Sequence, residues 1–190
     1  MTDSCAKPRI LWTWRYYDSL SAELCSEEAH LQERDGQRTE EFWDRFCSTP
    51  FGYLIAFHED RVIGRVRLFR RAIVHAGAQV MLGGIGFVAT RLAYRHQGVA
   101  SGLLREGMGK LTTQGCEVAF LIANTANQDL VRLYSKQGFV LLPKVHQFRS
   151  RSGKLYTDTE HGMLAPLSSR DKFDLVLSSR ETLDLGIGVW

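Results

Sequence analysis

The order of helix-like and strand-like segments predicts one domain of the α/β or α+β class. A chain of 190 residues is long enough to bury one full core. Strand and helix patterns alternate along the chain without a linker or an internal repeat. The hydrophobic fraction of 44% and the charged fraction of 24% are those of an ordinary globular protein.

The first third of the chain predicts a strand, two helices and a hairpin. Residues 10–17 are rich in aromatic and aliphatic side chains, as strands are. An amphipathic helix begins at Ser19 and is broken at Asp35–Gly36. The segment Thr39–Phe42 has the pattern of a capped helix start and predicts a second, short helix. Two β-rich runs separated by a polar turn predict a hairpin within residues 53–69.

The rest of the chain alternates strands and helices more regularly. A strand is predicted over 80–90, followed by a helix that reaches about Thr113. Residues 117–123 predict a short buried strand, and 127–137 a helix that ends before a glycine. Further strands are expected up to residue 167. The last segment of the chain has no clear helix or strand preference.

Charge, cysteine spacing and hydropathy argue against several classes of protein. The net charge is only +3 and no block of five like charges occurs, which disfavours a general nucleic-acid binder. Four scattered cysteines without a C-x-x-C pair disfavour a disulfide framework or a zinc site. No apolar run approaches the roughly 20 residues of a membrane span, and no signal-peptide stretch opens the chain. We therefore expect a cytoplasmic protein without metal or membrane.

The nearest approach to a basic cluster lies at the end of the predicted hairpin and just beyond it. It comprises four arginines, Arg65, Arg67, Arg70 and Arg71. Alternation along a strand favours the interpretation that they lie on the solvated face of that hairpin.

The most informative local pattern joins the predicted strand 80–90 to the following helix. Residues Arg95–Ala100 have the spacing R-x-x-G-x-A. A helix start offers up to four unpaired backbone N–H groups and about half a positive charge. Gly98 can take a positive φ, and without a Cβ it lets a ligand approach the backbone. The loop is predicted to bind an anion, although it matches neither a P-loop nor a dinucleotide-binding motif.

A second pattern, N-x5-L-Y-x3-G-F, follows the next strand about 30 residues later. It begins at Asn127, carries Tyr134 and ends at Gly138–Phe139. Together the two motifs, within residues 85–140, resemble the GNAT superfamily of acetyl-CoA-dependent N-acetyltransferases. The resemblance implies a GNAT fold, a mixed sheet of about seven strands that contains a splayed parallel pair, flanked by helices. We expect residues 1–190 to form this single domain.

The resemblance also implies acetyl-CoA as co-substrate and a set of residues that bind it. The loop amides would bind the CoA pyrophosphate at Arg95, His96, Gln97, Gly98, Val99, Ala100 and Ser101. The pantetheine arm would pair with the exposed backbone of Phe87, Val88, Ala89 and Thr90. The Val88 N–H would polarise the thioester carbonyl, and Asn127 would hold the pantetheine or the helix start.

Tyr134 is the proton donor that the resemblance implies for the departing thiolate. A phenol of ordinary pKa is protonated at neutral pH and suits this role. The alternative is a buried aromatic that merely packs one helical turn from Leu130.

The group that deprotonates the acceptor amine is not evident from the sequence. Many relatives carry a carboxylate on the strand before the phosphate loop, but residues 80–90 contain none. Gly83, Gly84 and Gly86 in that strand either leave room for a bulky acceptor or mark a bulge.

A closer similarity links the chain to the aminoglycoside 2′-N-acetyltransferases. It rests on T-E-E-F-W near the second helix, R-R-x-I-V-x-x-G before the central strand, and a final G-V-W. In that branch acidic residues hold a polycationic sugar and the terminal carboxylate lies near the acceptor amine. By position this implies acceptor contacts at Asp35, Glu40, Glu41, Trp43, Asp158, Glu160, Asp184 and Trp190. Trp190 would also be catalytic through its carboxylate, and its apolar surroundings in sequence predict a docked tail.

Resistance to an aminoglycoside is therefore the function that the resemblance implies, and kasugamycin, with an amino sugar and its own carboxylate, is compatible with it. Two alternatives remain open. The chain acetylates another small amine or a protein amine, or it is a non-catalytic domain that binds acyl-CoA. A homodimer is an assembly that the superfamily resemblance allows.

Overall fold

The computed structural model describes residues 10–32, 39–159 and 161–190. Two predicted acceptor residues, Asp35 and Glu160, therefore lie outside the described residues. The helices are α1 (Ala22–Ala29), α2 (Glu40–Arg45), α3 (Val99–Thr113), α4 (Gln128–Ser135) and α5 (Arg170–Ser178). The first strands are β1 (Thr13–Tyr17), β2 (Gly52–His58), β3 (Arg61–His75), β4 (Ala78–Thr90) and β5 (Val118–Ile122). The later strands are β6 (Val140–Leu141), β7 (His146–Arg149), β8 (Leu155–Asp158), β9 (Gly162–Pro166) and β10 (Leu183–Ile187).

The predicted mixed sheet is present and has seven strands in the order β1-β2-β3-β4-β5-β9-β6. Its first four strands form an antiparallel meander, and β4 then pairs in parallel with β5. A second, three-stranded sheet has the order β10-β7-β8, with β10 parallel to β7. We refer to this second sheet as the small sheet and to residues 183–190 as the C-terminal tail.

The parallel pair at the centre of the main sheet separates along its length. Only three residue pairs join β4 to β5, and the last of them is Gly84 with Phe120. Beyond this pair β4 runs on to Thr90 and β5 to Ile122 without pairing to each other. This is the splay that the sequence resemblance implied.

Opposite faces of the main sheet carry two separate parts of the core. Leu54 packs in the cluster that contains the apolar face of α3, whereas the next residue, Ile55, packs with α1 on the other face. The alternation follows from the two-residue repeat of a strand. On the α3 face, Gly107 lets the helix approach the sheet, because a Cβ there would lie 3.2 Å from Leu68.

The C-terminal tail, whose sequence shows no clear helix or strand preference, forms a strand followed by coil. It adds β10 to the small sheet and ends in Trp190, whose exposed fraction is 3%. The predicted docking of the tail is therefore confirmed. The predicted hairpin is also longer than residues 53–69 indicated, because β3 continues through Arg70 and Arg71 to His75.

The expectation that the four hairpin arginines lie on one solvated face is wrong. Arg65 is buried, with an exposed fraction of 1%, and Arg71 is half-buried beneath the C-terminal tail. Arg70 is exposed and donates to the Gln114 carbonyl oxygen at 3.1 Å. The C-terminal tail covers Arg71 and the β4 backbone covers Arg65, although the sequence pattern predicts that both are exposed to solvent.

Among the helices that the structure describes, none combines the length and apolarity needed to cross a membrane.

Candidate active site

The loop after β4 has the backbone geometry of an anion-binding site. Gly98 caps α3 in the left-handed region with φ of 83°, and His96 has φ of 64°. Among the described residues, no atom beyond the adjoining backbone lies within 4 Å of the position that a Cβ on Gly98 would occupy, so the loop is open on that side. The first turn of α3 therefore presents its unpaired N–H groups to open space.

Two buried polar atoms beside this loop have no partner in the described part of the chain. They are the Thr90 hydroxyl oxygen and the Gln97 side-chain oxygen. The Gln97 amide nitrogen donates to the Ala93 carbonyl oxygen at 3.2 Å, and Arg95 Nε donates to the Thr90 carbonyl oxygen at 3.2 Å. Because buried polar groups are normally paired, the two unpaired oxygens favour a polar ligand at this loop. The residues present thus fit a phosphate-bearing co-substrate.

The strand that precedes the loop is bent at Phe87. Its pairing with β3 shifts register between Arg65 and Arg67, and Phe87 adopts φ of 54°, as a β-bulge requires. Arg65 Nε donates to the Phe87 carbonyl oxygen at 3.0 Å. This hydrogen bond from the buried guanidinium stabilises the backbone of the bulge, next to Val88.

Helix α4 begins and ends as its motif predicts. Asn127 Oδ1 accepts hydrogen bonds from the backbone N–H groups of Asp129 at 3.0 Å and Leu130 at 3.4 Å. Of the two roles expected for Asn127, its side-chain oxygen serves the helix start. Gly138 follows the helix with φ of 87°.

Tyr134 lies on the buried side of α4, edge-on to Phe139 with ring centroids 6.1 Å apart. Burial raises the pKa of Tyr134 to about 12. The phenol is therefore protonated throughout the neutral and mildly alkaline range. Burial is compatible with a packing role as well as with the role of proton donor.

The indole of Trp190 lies where β4 and β5 begin to separate, on the face of the main sheet opposite α3. Its Nε1 donates to the Phe120 carbonyl oxygen at 3.1 Å. A Cβ on Gly84 would overlap the indole ring, and a Cβ on Gly86 would lie 2.9 Å from the Trp190 carbonyl carbon. These two glycines make room for Trp190, and Gly86 also borders the bulge, since the register shift follows its pair with Arg67. Gly83 instead faces Leu111 at 3.0 Å on the α3 side.

The C-terminal tail is held in place from three directions. Arg71 donates to the carbonyl oxygens of Leu185, Ile187 and Gly188. The Gly188 N–H donates to the Arg149 carbonyl oxygen of β7 at 2.7 Å. The Val189 N–H donates to the carbonyl oxygen of Arg45, the last residue of α2, at 3.0 Å. The tail thus joins α2 and the small sheet to the splay.

The described acidic residues expected at the acceptor lie around α2 and the small sheet. Glu40 and Glu41 are exposed in the first turn of α2, which Thr39 caps by accepting from the Phe42 N–H at 3.2 Å. Glu41 accepts from the Tyr156 hydroxyl at 3.1 Å and lies 3.6 Å from Lys154 Nζ. The indole of Trp43 is 44% exposed beside them.

Asp158 and Asp184 lie on opposite faces of the small sheet. Asp158 is paired in register with His146, whereas Asp184 is paired with Gln147, and neighbouring residues of a strand point to opposite faces. Asp158 contacts His161 Nδ1 at 2.7 Å. Asp184 accepts from Gln147 at 2.9 Å and from the Gly186 N–H at 2.8 Å. The structure therefore brings Asp158 to the face that α2 covers and places Asp184 on the outer face.

Two side chains near the site were not anticipated from the sequence. The sequence pattern predicts that Arg71 is solvated. Its role becomes visible only in the folded chain, where it donates to the Gly188 carbonyl oxygen, 117 residues away in sequence. His146 is 1% exposed, and neither ring nitrogen has a partner among the described residues. Its ring lies edge-on to Phe120, with centroids 5.5 Å apart. Burial lowers the pKa of His146, and no local sequence pattern signals either residue.

Comparison with known proteins identifies the same kind of domain. A family model described as an acetyltransferase (GNAT) domain matches residues 23–141, more than half of the chain. A search of curated protein sequences finds no significant match.

Several solved structures share the fold. The chain is similar to the ribosomal-protein-S18-alanine N-acetyltransferase from Escherichia coli, with 14% identity, TM-score 0.58, and coverage of 85% of this chain and 97% of that one. NAA60 from Arabidopsis thaliana, solved with a bisubstrate analogue, gives 16% identity, TM-score 0.58 and coverage of 83% and 99%. Eis1 from Mycobacterium abscessus gives 17% identity and TM-score 0.54, with coverage of 71% of this chain but 32% of that one. At these identities the likeness establishes the fold.

Proposed function

Since the chain belongs to the GNAT acetyltransferases, we propose that it transfers the acetyl group of acetyl-CoA to an amino group of an aminoglycoside and so confers resistance to that antibiotic. Donor and reaction class follow from the family, and the acceptor is the new element. The observation that carries it is the burial of Trp190 at the splay of β4 and β5. In the 2′-N-acetyltransferases that the sequence resembles, the terminal carboxylate lies near the acceptor amine. We propose that Trp190 takes the corresponding position in this chain. We further propose that residues 1–190 act as one domain.

The donor would be held by backbone groups of β4 and of the loop after it. Acetyl-CoA, when bound, supplies a thioester as the acetyl source. The open N–H groups at Gly98–Ser101 are suited to its pyrophosphate, and the unpaired Thr90 hydroxyl can donate to a phosphate oxygen beside them. The unpaired Gln97 Oε1 only accepts, so it would pair with a donor group of the co-substrate. In this proposal the Val88 N–H, fixed by the bulge at Phe87, points its dipole at the carbonyl that accepts charge.

Tyr134 is proposed as the group that gives a proton to the sulfur of the leaving thiol. Its raised pKa of about 12 keeps the proton on the phenol oxygen at neutral pH, so the acid form is present when the carbon–sulfur bond breaks. A free thiolate, with an ordinary pKa near 8.5, is a weaker base than this phenolate, so the transfer is completed only when the phenolate takes up a proton again, from water or from the acceptor amine. Its motif position after the splayed strand supports this role over packing alone.

The proton of the acceptor amine needs a separate base, because an ammonium group cannot attack a carbonyl carbon. Where the chain ends at Trp190, we propose that its carboxylate takes this proton, directly or through water. Support comes from the position of the Trp190 carbonyl carbon against Gly86, one residue before the bulge. No Asp or Glu lies on β4 to compete for this role.

Acceptor recognition is proposed for the side chains of α2 and the covered face of the small sheet. Glu40, Glu41 and Asp158 supply negative charge for an ammonium-bearing sugar, and Trp43 offers an exposed aromatic face. Asp35 and Glu160 stay in the proposal on sequence position alone. Asp184 faces away from the other acids, so we do not include it. Kasugamycin remains compatible with this acceptor class.

The test is an assay of CoA release with Ellman's reagent across a panel of aminoglycosides, kasugamycin, simple amines and peptides. The proposal predicts turnover with at least one aminoglycoside and identifies the acetylated nitrogen by NMR of the product. Asp158→Asn should raise the KM for that drug several-fold without changing the affinity for acetyl-CoA. Tight acetyl-CoA binding without release from any aminoglycoside would refute the acceptor assignment.

A protein or peptide amine is the second candidate acceptor. It is favoured by the name of one fold neighbour, the ribosomal-protein-S18-alanine N-acetyltransferase. Turnover of peptide N-termini but not of amino sugars in the same panel would select it. Binding of acetyl-CoA with no turnover of any amine would instead indicate an acyl-CoA-binding domain.

A further inference from the structure

Arg71 lies on β3, far in sequence from the C-terminal tail that it contacts. Its Nη1 donates to the carbonyl oxygens of Leu185 and of Gly188, the latter at 2.9 Å. Its Nη2 donates to the Ile187 carbonyl oxygen and to Ser48 Oγ, the latter at 2.8 Å. One guanidinium thus satisfies three backbone carbonyl groups of a single short segment.

These carbonyl groups need an external donor because the strand is irregular there. The pairing of β10 with β7 shifts register between Asp184 and Ile187, and Gly186 and Gly188 have φ of 74° and 69°. A backbone that leaves the ladder loses its regular partners. The planar fork of arginine can meet several such oxygens at fixed angles, which an ammonium group does less well.

The same side chain also contacts the aromatic residue at the splay. Arg71 Cζ lies 5.2 Å from the ring centroid of Trp190, and the indole also packs against Gly84 of β4. Phe69, two residues before Arg71 on the same strand face, stacks on the indole with centroids 5.6 Å apart. The orientation of the indole is therefore set by β3 and β4 together with the clamped tail.

We propose that Arg71 is the positioning residue of the acceptor site, because it fixes the C-terminal tail so that Trp190 stays against the splay. This inference rests on the proposed function for its kinetic consequence, but its structural consequence can be measured without any acceptor. Arg71 itself does not contact the donor loop in the described structure, so donor affinity should not depend on it.

The test compares Arg71→Met and Arg71→Lys with Arg70→Met, a control at the adjacent, exposed position, in protein comprising residues 1–190. Kinetics use the amine that the panel identifies, acetyl-CoA affinity is measured by calorimetry, and release of Trp190 by carboxypeptidase Y is timed under native conditions. Arg71→Met should lower kcat/KM for the amine at least 10-fold while acetyl-CoA affinity stays within twofold. Arg71→Lys should be intermediate, and Arg70→Met should match the wild type.

Carboxypeptidase release separates this inference from the proposed function. Faster release from both Arg71 variants supports the clamp even if no amine is turned over, in which case only the proposed function fails. Release at the wild-type rate, or an unchanged kcat/KM, would overturn the inference. An equal loss of amine turnover and acetyl-CoA affinity would also overturn it, because it would show a general structural defect. If Arg71→Met does not fold, the same criteria apply to Arg71→Lys.

Discussion

The two sides of the candidate active site are built in different ways. The donor side comprises the end of β4, the loop that follows it, the first turn of α3 and α4, all within residues 85–135. The acceptor side comprises α2, the small sheet and the C-terminal tail, which span residues 40–190. The donor side depends on backbone N–H groups and left-handed residues that neighbouring sequence dictates. The acceptor side depends on contacts between side chains and backbone more than 100 residues apart.

This difference explains why the sequence indicates the reaction class but not the substrate. A loop and a helix start are encoded by a few adjacent residues, so the same motif gives the same donor site in many proteins. A surface assembled from distant segments has no compact signature. Arg71 with Gly188 and Tyr156 with Glu41 show how its geometry arises only in the folded chain.

The largest effect is expected from closing the donor loop. Gly98→Glu combines backbone strain at φ of 83° with a negative charge beside the expected phosphates. Acetyl-CoA affinity measured by calorimetry should fall by more than about 100-fold, equivalent to roughly 3 kcal/mol. Gly98→Asn is the matched control, since asparagine tolerates the left-handed region, and it should bind better than Gly98→Glu. Undiminished binding by Gly98→Glu would break the assignment of the donor side.

The next largest effect is expected at Tyr134. Tyr134→Phe removes the proposed proton donor and should lower kcat by about 10²- to 10⁴-fold, the usual range for general acid catalysis. Acetyl-CoA affinity should stay within twofold, because the ring still packs against Phe139. Loss of affinity together with kcat would assign the residue to packing.

A smaller effect is expected where the two sides meet. Gly84→Ala places a methyl group in the position of the Trp190 indole, which should cost about 1–3 kcal/mol of stability by overpacking. Thermal unfolding should detect this loss, and kcat/KM for the amine should fall. In a Trp190→Ala background the same change should cost much less, since the indole is gone. Gly109→Ala, where a Cβ meets no atom within 4 Å, is the control and should not destabilise.

The smallest effect is expected from His146, on the acceptor side. Burial lowers its pKa, Asp158 raises it and His161 lowers it, so the imidazole is held neutral in the folded protein. Below about pH 6.5 the unfolded chain binds an extra proton, and stability is lost as the pH falls. His146→Leu should therefore show a smaller drop in Tm between pH 7 and pH 5 than the wild type. His96→Gln, at an exposed position, should keep the full drop.

Residual pH dependence is expected even in His146→Leu, because burial also lowers the pKa of His75. An identical pH dependence of Tm in wild type and His146→Leu would contradict the prediction.

Most strands of the main sheet and the ends of its flanking helices could be predicted, because their sequence signals are local. The helix cap at Thr39, the glycine after α4 and the left-handed Gly98 before α3 all appear where the pattern placed them. The extension of β3 was missed because arginines interrupt its apolar alternation. β10 was missed because a five-residue segment that contains an aspartate and a glycine has no clear strand preference until β7 pairs with it.

The candidate site was predicted unevenly for the same physical reason. The donor residues follow from two motifs, although their roles stay predictions. Gly84 and Gly86 looked like space for a ligand, because a sequence does not show that Trp190 returns to fill that space. Acidic residues could be named but not sorted by face, since the register of β7 with β8 and β10 decides that Asp158 and Asp184 point apart.

The clamp between Arg71 and the C-terminal tail has a consequence for synthesis on the ribosome. Every element of the donor side has been translated once Ser135 is added, whereas Trp190 is translated later. Contacts that close such long loops form late because their ordering entropy must be met first. Until then Phe120 lacks the indole that covers its carbonyl oxygen. In a nascent chain the segments of the donor side are therefore complete before Trp190 can cover the splay of β4 and β5.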